Sequence, residues 1–463
     1  PASEPWPGWL FYAAVHFQPT NPMWNDFKKL NDYVARCQSF LQSGRPDNDV
    51  LLYFPFSDRN SEVSNRGLLH HYDGMEGFKG TDFEKVAEEL LHKGYAFDLI
   101  SDKQLQLVTN DGDGLKTPGG KYKTIVLANT KYIPLATYEK LKALVKNGAT
   151  VIVYKNFPQG APGMEGVDTK YEFNGNFLKG DDVVALLSQL KTRRETMFDK
   201  GLHCVRRTIA NGSYYFITNT GDKAFDGWVT LASAAPHIVI FDPMRHKSGL
   251  AKTKSGQVYL QLQPGESCVL QTSTTALKGN AYSYYTPAGS ATTITGKWDV
   301  EFLVGGPALP GRTTITQMDS WTNLPDTAAK WFSGTAQYSI RFSKPKQAPA
   351  YLLNLGQVYH TAVVTLNGKT IDTLIGPVYQ VVLPGHLLAA TNTLEIKVSN
   401  GMANRIADMD KKKIAWKKFY NVNFPSRLAE NRQPNGLFTA AHWQPEPSGL
   451  TGPVTLTPLS LMK

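Results

Sequence analysis

The first clear periodicity in the chain is helical. Between Asn21 and Gly44 the apolar positions Phe27, Leu30, Val34, Cys37 and Leu41 recur at three- and four-residue steps. Asn21 is placed to cap this helix, Pro22 to occupy its first position and Gly44 to stop it. Residues 1–10 are rich in Pro and Trp and predict only a loop, so the helix is expected to find no partner within the chain. From residue 49 the pattern changes to short apolar runs at 50–54, 96–100, 123–129 and 150–154, alternating with amphipathic stretches at 81–92, 135–147 and 181–190. Thr81 caps the first of these helices, and Gly94 and Gly148 close the first two. Strands alternating with helices predict a mostly parallel sheet covered on both faces, of the flavodoxin-like or amidotransferase-like kind.

Past Arg193 the helical period gives way to alternation of period two. Runs at 212–218, 228–231, 238–241, 258–262 and 267–271 predict a small antiparallel β-sandwich, with Pro264-Gly265-Glu266 turning into the last strand. A second β-rich region begins near Thr295, with strands at 336–342, 362–366 and 392–400 and an Asn367-Gly368 hairpin turn, and a jelly roll is expected there. The fold class expected is therefore multidomain, α/β plus all-β.

Composition narrows the function classes. A chain of 463 residues is too long for one core. No apolar run approaches the ~18 to 20 residues that cross a bilayer, so no membrane span is expected. Nine Trp and 21 Tyr beside 39 Gly and 28 Pro suit β-rich proteins with stacking surfaces. The net charge of +10 would permit a polyanion partner, but Lys and Arg are dispersed, and no nucleic-acid partner is expected. The one tight run, Lys411 to Lys413 followed by Lys417 and Lys418 around Trp416 and Tyr420, reads as a solvated face. Cys37, Cys204 and Cys268 each sit in an apolar segment and read as buried thiols, with Cys204 and Cys268 an open possibility for a disulfide. Gly112, Gly114, Gly119 and Gly120 precede a strand rather than join a strand to a helix, so they predict a hairpin or surface loop and no nucleotide site.

The segments PWPGWLFYAAVHFQPTNPMW at 5–24 and LNDYVARCQSFLQSGRPDNDVLLYFP at 30–55 resemble glycoside hydrolase family 106, the α-L-rhamnosidase family. YSIRF at 338–342, VTLNGKTIDTL at 364–374 and SGLTGPVTL at 448–456 support the resemblance and are similar to galactose-binding-like jelly rolls of glycosidases generally. The resemblance implies the C-terminal part of a bacterial enzyme. Residues 1–45 would be the last loop and helix of a (β/α)8 TIM barrel, 46–192 a flavodoxin-like domain, 193–285 a small β-sandwich and 286–463 a galactose-binding-like jelly roll. The absence of an initiating Met and of a signal segment fits a truncated or processed chain. The partners implied are an oligo- or polysaccharide and an N-terminal catalytic barrel, the location periplasmic or extracellular, and calcium a possible cofactor.

Glycoside hydrolysis ordinarily uses two carboxyl groups flanking the bond. Glu4 lies in a Pro-rich loop and Asp26 in the first helical turn, where it reads as a partner of the helix dipole, so no catalytic residue is identified in this chain. The resemblance places the catalytic carboxylates on earlier barrel strands. Loops at the C-terminal ends of barrel strands line active sites, which makes Trp6, Trp9, Tyr12, His16 and Trp24 candidates for stacking on a sugar, against the alternative that they pack the loop. Trp321, Trp331, Tyr379 and Trp443 are candidates for a platform in the jelly roll, against the default that they pack its core, with Trp443 the least expected to be buried in a strand. His70, His71, Asp73 and Glu76 hold metal-capable groups without a common geometry and read as a surface loop, so no metal site is assigned. Three functions remain open at this point: part of a glycosidase, a non-catalytic carbohydrate-binding or scaffold module, and a flavodoxin-like cofactor protein that the missing phosphate turn disfavours.

Overall fold

A computed structural model describes residues 6–8, 18–61, 78–110, 112, 114–163, 171–233, 235–345, 347–416 and 424–462. The chain forms two compact units, residues 37–282 and residues 1–36 with 283–463.

In the unit of residues 37–282 the helix–strand alternation becomes a five-stranded parallel sheet. Its order is Phe97–Ile100, Val50–Tyr53, Thr124–Ala128, Thr150–Tyr154, Phe177–Gly180. Val50–Tyr53 and Thr124–Ala128 are buried at every position, as a sheet covered on both faces requires. Side chains alternate between two cores: Val50, Leu52, Val126 and Ile152 meet the helices Asp82–His92 and Val183–Gln189. On the other face Leu51, Ile125 and Val151 meet the helix Leu135–Lys146. The Thr81 and Asp182 side chains accept hydrogen bonds from the Glu84 and Ala185 amides and so fix two of the helix starts. The glycine-rich stretch lies in a small antiparallel meander of Thr109–Asn110, Leu115–Lys116 and Lys121–Tyr122, as the sequence predicts.

The rest of this unit is antiparallel. A six-stranded sheet runs Arg45–Pro46, Leu202–Ile209, Gly212–Asn219, Ser267–Ser273, His237–Asp242, Lys247–Leu250. It shares one core with the sheet of Phe225–Thr230, Gln257–Leu262 and Thr253–Lys254. Strand Leu202–Ile209 is absent from the sequence reading, because it carries a buried arginine. The Arg206 side chain is 1% exposed, with Nη1 2.7 Å from Glu195 Oε1 and Nη2 3.1 Å from Asp49 Oδ2. Asp49 is also held by Arg193, whose Nη2 reaches Asp49 Oδ1 at 2.9 Å and Asp47 Oδ1 at 2.6 Å.

Two expectations are corrected here. Cys204 and Cys268 both pair with Ile217 from opposite sides, so a whole strand separates them. Two strand spacings are roughly 10 Å, beyond the ~7 Å Cα limit for a disulfide, and the cysteines are free thiols whose ionisation burial suppresses in both. The second concerns the helix Phe27–Leu41, which has contacts off its predicted apolar stripe: the Phe40 ring lies 5.2 Å from Tyr214 and 4.9 Å from Phe241. Of its predicted apolar stripe Cys37 is buried and Val34 is 39% exposed.

In the unit of residues 1–36 and 283–463, two antiparallel sheets share one core. One runs Thr313–Ile315, Trp298–Gly306, Ser333–Ser343, Thr391–Ser399, Thr361–Leu366, Lys369–Leu374. The other runs Tyr285–Pro287, Thr455–Leu461, Ala350–Asn354, Gln380–Pro384, with Thr292–Thr293 also on Thr455–Leu461. Val300, Tyr338 and Ile396 of the first meet Tyr351, Leu383 and Leu456 of the second. The predicted hairpin turn is present, with Asn367 and Gly368 at φ +51° and +78°.

The long helix begins later than predicted. Asn21 Oδ1 accepts from the Met23 amide at 2.9 Å, making a turn, and a 3-10 segment Trp24–Asp26 precedes the helix, so Pro22 is not its first residue. Asp26 is buried and accepts a hydrogen bond from the Thr361 hydroxyl, and Lys29 Nζ lies 2.5 Å from Asp372 Oδ1. Burial raises the Asp26 carboxyl above its ordinary value of 3.8, although the Thr361 bond opposes the shift. A carboxyl raised in the folded state costs stability wherever it is ionised, and costs nothing below its unfolded value. Asp26→Asn, which keeps the acceptor, is therefore expected to raise the thermal midpoint at pH 7, with the gain vanishing below pH 3.8. A lowered midpoint at pH 7 would show that the charged carboxylate is used.

Candidate functional site

The best-defined cluster of candidate side chains surrounds the helix Ala403–Lys411, which the sequence reading missed. Met402, Ile406 and Met409 are spaced at four and three residues, and that is the signal that could have found it. Ile406 and Ala407 form a small apolar core with Phe438 and Ala440, and Trp6, Trp331, Trp416 and Trp443 pack against it half-buried.

Each indole is oriented by a polar partner or a cation. Trp443 Nε1 donates to Asn431 Oδ1 at 2.8 Å, and its ring stands edge-on to Phe438 at 5.9 Å. Lys411 Nζ lies 3.9 Å above the Trp331 ring and donates to the Trp443 carbonyl at 3.0 Å, so one lysine ties the two tryptophans together. Trp416 Nε1 donates to Asp410 Oδ1 at 2.7 Å, while Asp410 Oδ2 accepts from the Ala440 amide at 2.8 Å. Trp6 Nε1 donates to the Thr20 carbonyl at 3.0 Å, and the Arg405 guanidinium lies 4.0 Å over its ring. Burial pushes the Arg405 pKa down although Asp408 opposes it, and its Nε has no hydrogen-bond partner.

The loop that carries Trp443 is anchored from below. The Asn404 amide donates to the Glu446 carbonyl at 2.9 Å and accepts from the Glu446 amide at 2.7 Å. Ser448 Oγ accepts from Asn400 at 3.0 Å and from Asn404 at 3.2 Å. All three residues are buried, so the loop's position is set by satisfied interior hydrogen bonds. The resulting arrangement groups indoles with an ammonium over the Trp331 ring, a guanidinium over the Trp6 ring and His442 nearby, the side-chain types that meet the C–H face and the hydroxyls of a sugar ring.

The other predicted residues divide clearly. Trp9, Tyr12, His16, Glu4, the His70, His71, Asp73 and Glu76 cluster, and Lys417, Lys418 and Tyr420 lie outside the described residues. Trp24 is 42% exposed, its ring edge-on to Phe27, and it is not among the residues packed on the Ile406 core. Trp321 is 1% exposed and belongs to the sheet core, which removes it as a platform. Tyr379 flanks that core and donates its hydroxyl to the His360 carbonyl. Lys411 to Lys413 are exposed, as a solvated face requires, and Lys411 and Trp416 also contact the tryptophan cluster.

Among the described residues there is no group of three or more His, Cys, Asp or Glu side chains placed to hold a metal. No described helix is long and apolar enough to cross a membrane.

Residues 1–226 match the family model described as alpha-L-rhamnosidase, glycoside hydrolase family 106. The chain is similar in fold to a rhamnosidase from Novosphingobium sp. PP1Y, with a TM-score of 0.67 and 23% identity over 96% of this chain. A curated relative from Formosa agariphila, named "Putative beta-glucuronidase", is 28% identical over 236 residues, 47% of this chain. The chain spans 42% of the rhamnosidase structure and 18% of that curated relative.

Proposed function

We propose, from the match of residues 1–226 to the family model of alpha-L-rhamnosidases, that this chain is the part of such an enzyme that supports and presents a carbohydrate chain to catalytic carboxylates carried elsewhere. The observation that carries the reading is the cluster of Trp6, Trp331 and Trp443 around one helix, half-buried and braced by Arg405 and Lys411. Rigid indole faces with cations beside them suit a pyranose, whose C–H face stacks while its hydroxyls accept hydrogen bonds.

In this reading residues 1–45 close a catalytic (β/α)8 barrel. The sheet order of the parallel domain supports a flavodoxin-like scaffold for 46–192, and the two antiparallel sheets with one core support a galactose-binding-like jelly roll for 286–463. The small β-sandwich of 193–285 links them in the chain. The parent enzyme acts on polysaccharide in the periplasm or outside the cell.

Isothermal titration with rhamnose-terminated oligosaccharides tests the platform. A Trp331→Ala/Trp443→Ala variant is expected to bind about tenfold or more weakly, since each stacked ring is worth ~0.5–1.5 kcal/mol. Unchanged affinity would leave the cluster structural. Hydrolysis of an aryl α-L-rhamnoside by this chain by itself would overturn the proposed separation of binding from chemistry.

A further inference from the structure

The parallel sheet carries a second concavity, independent of the tryptophan cluster. A cavity of about 470 Å³ opens where the strands Val50–Tyr53, Thr124–Ala128 and Thr150–Tyr154 end, lined in part by Asp58, Asp82, Asn129, Thr130 and Asn156. The strand order reverses between the first and second of these three, and open α/β sheets bind ligands at the carboxyl ends of strands at that reversal. The volume falls within the ~300–1,000 Å³ of small-molecule sites.

The walls are built for hydrogen bonding. Asn129 and Lys155, each the residue after a strand, hold left-handed backbone conformations at φ +53° and +62°, which side chains other than glycine adopt at a cost. Both side chains converge on Asp82: Asn129 Nδ2 donates to Oδ2 at 2.6 Å and Lys155 Nζ to Oδ1 at 2.6 Å. Asn156 Nδ2 donates in turn to Asn129 Oδ1 at 3.2 Å. Asp58 accepts from the Lys131 and Tyr132 amides, fixing the turn that follows the Thr124–Ala128 strand. Within that turn Thr130 is 1% exposed, lines the cavity, and its hydroxyl has no hydrogen-bond partner. A buried hydroxyl left unpaired costs free energy, and a ligand that paired it would recover that cost.

The helix end disfavours a phosphate, although Arg59 and Lys131 also line the cavity. The N-terminus of the helix Asp82–His92 faces this region, but the Thr81 side chain already accepts from the Glu84 amide and Glu84 Oε2 accepts from the Gly80 amide at 2.6 Å. With Asp82 in the same turn, the helix end is capped and carries two carboxylates, which repel an anion. Burial acts to raise the Asp82 carboxyl, but the bonds from Lys155 and Asn129 outweigh it and hold it below its ordinary value.

We propose that this cavity binds a neutral, hydroxylated ligand of monosaccharide class, with Thr130, Asn129 and Asn156 bonding its hydroxyls against the apolar wall of Phe78 and Phe83. The proposal does not rest on the tryptophan platform, which belongs to the other unit.

Saturation-transfer NMR on the full chain, with L-rhamnose, D-galactose and inorganic phosphate as probes, tests it. Saturable binding of a neutral sugar is expected, weakened about tenfold by Thr130→Val and by Asn129→Gly. Thr130→Val removes a hydroxyl with no protein partner, so its melting temperature should equal or exceed that of the parent chain, and Asn129→Gly keeps the left-handed backbone. The sugar signal should survive in Trp331→Ala/Trp443→Ala. Binding of phosphate in place of sugar, absence of binding by either sugar, or full affinity in Thr130→Val would overturn the proposal. Loss of the signal in the tryptophan variant would overturn it too, and would assign the sugar to the other unit.

Discussion

Replacing Arg206 by alanine is expected to lower the unfolding free energy by about 3–5 kcal/mol, the cost of removing one partner from a buried ion pair. The guanidinium is 1% exposed and faces Glu195, 2% exposed, and Asp49, 4% exposed. It also donates to the Asp47 carbonyl through Nη2 at 2.8 Å, so deletion takes one donor from a carbonyl and from each of two buried carboxylates. Asp49 keeps Arg193, but Glu195 keeps only the Ala232 amide at 3.1 Å. Neutralising Glu195 should therefore recover part of the loss: Arg206→Ala/Glu195→Gln is expected to be more stable than Arg206→Ala. Arg206→Lys should not substitute, because one ammonium cannot reproduce the fork that reaches both carboxylates. Urea denaturation reads the effect as a shifted midpoint at constant slope. A loss under ~1 kcal/mol, the size of an exposed pair, would show that the site is solvated and the network incidental.

The same arginine explains where the sequence stopped being legible. The parallel sheet was readable because its strands are runs of apolar residues bracketed by caps and glycines, all local signals. Strand Leu202–Ile209 was not readable, since Arg206 and Arg207 break its alternation. Arg206 sits inside only because Glu195 and Asp49, 11 and 157 residues away, are there to meet it. The long helix shows the converse case. Its period is a local signal, but the polar contacts of Asp26 and Lys29 are not, because Thr361 and Asp372 follow it by more than 300 residues in sequence, 335 in the case of Asp26 and Thr361.

The candidate site was legible in its residue types and not in its grouping. An indole before a turn, as at Trp443, is visible in the sequence, but its neighbours Trp6 and Trp331 come from the two separate chain segments of one unit. The lysine run is exposed along its length, as its sequence suggests, yet its first residue also reaches an indole. Lys411 turns onto Trp331 at 3.9 Å while Lys412 pairs with Asp408 at 2.8 Å. Cation–aromatic contacts of this kind depend on the fold to supply the ring, so no spacing rule reports them. Trp321 failed as a platform for the opposite reason. The same side chain that can stack on a sugar is also large enough to fill a sheet core, and burial alone distinguishes the two.

Gly449→Ala is expected to be the second severe substitution, costing roughly 3 kcal/mol. Gly449 has φ +93°, a conformation that charges an alanine ~1–2 kcal/mol, and overpacking adds ~1–3 kcal/mol. A Cβ there would lie 2.3 Å from Tyr338 Oη and 2.7 Å from Trp321 Cε3, both in the sheet core, where neither ring can move aside cheaply. Tyr338 Oη also accepts the Leu450 amide at 3.2 Å, so displacing it breaks a buried hydrogen bond. Tyr338→Phe removes the oxygen that clashes. In a double-mutant cycle Gly449→Ala should therefore cost less on the Tyr338→Phe background than on the parent, with strict additivity sinking the steric explanation. The consequence reaches the site, because Ser448, adjacent to Gly449, accepts the Asn400 and Asn404 amides that anchor the loop bearing Trp443. If the tryptophan cluster binds carbohydrate, Gly449→Ala should weaken that binding at temperatures well below its unfolding transition, without any change to an aromatic residue.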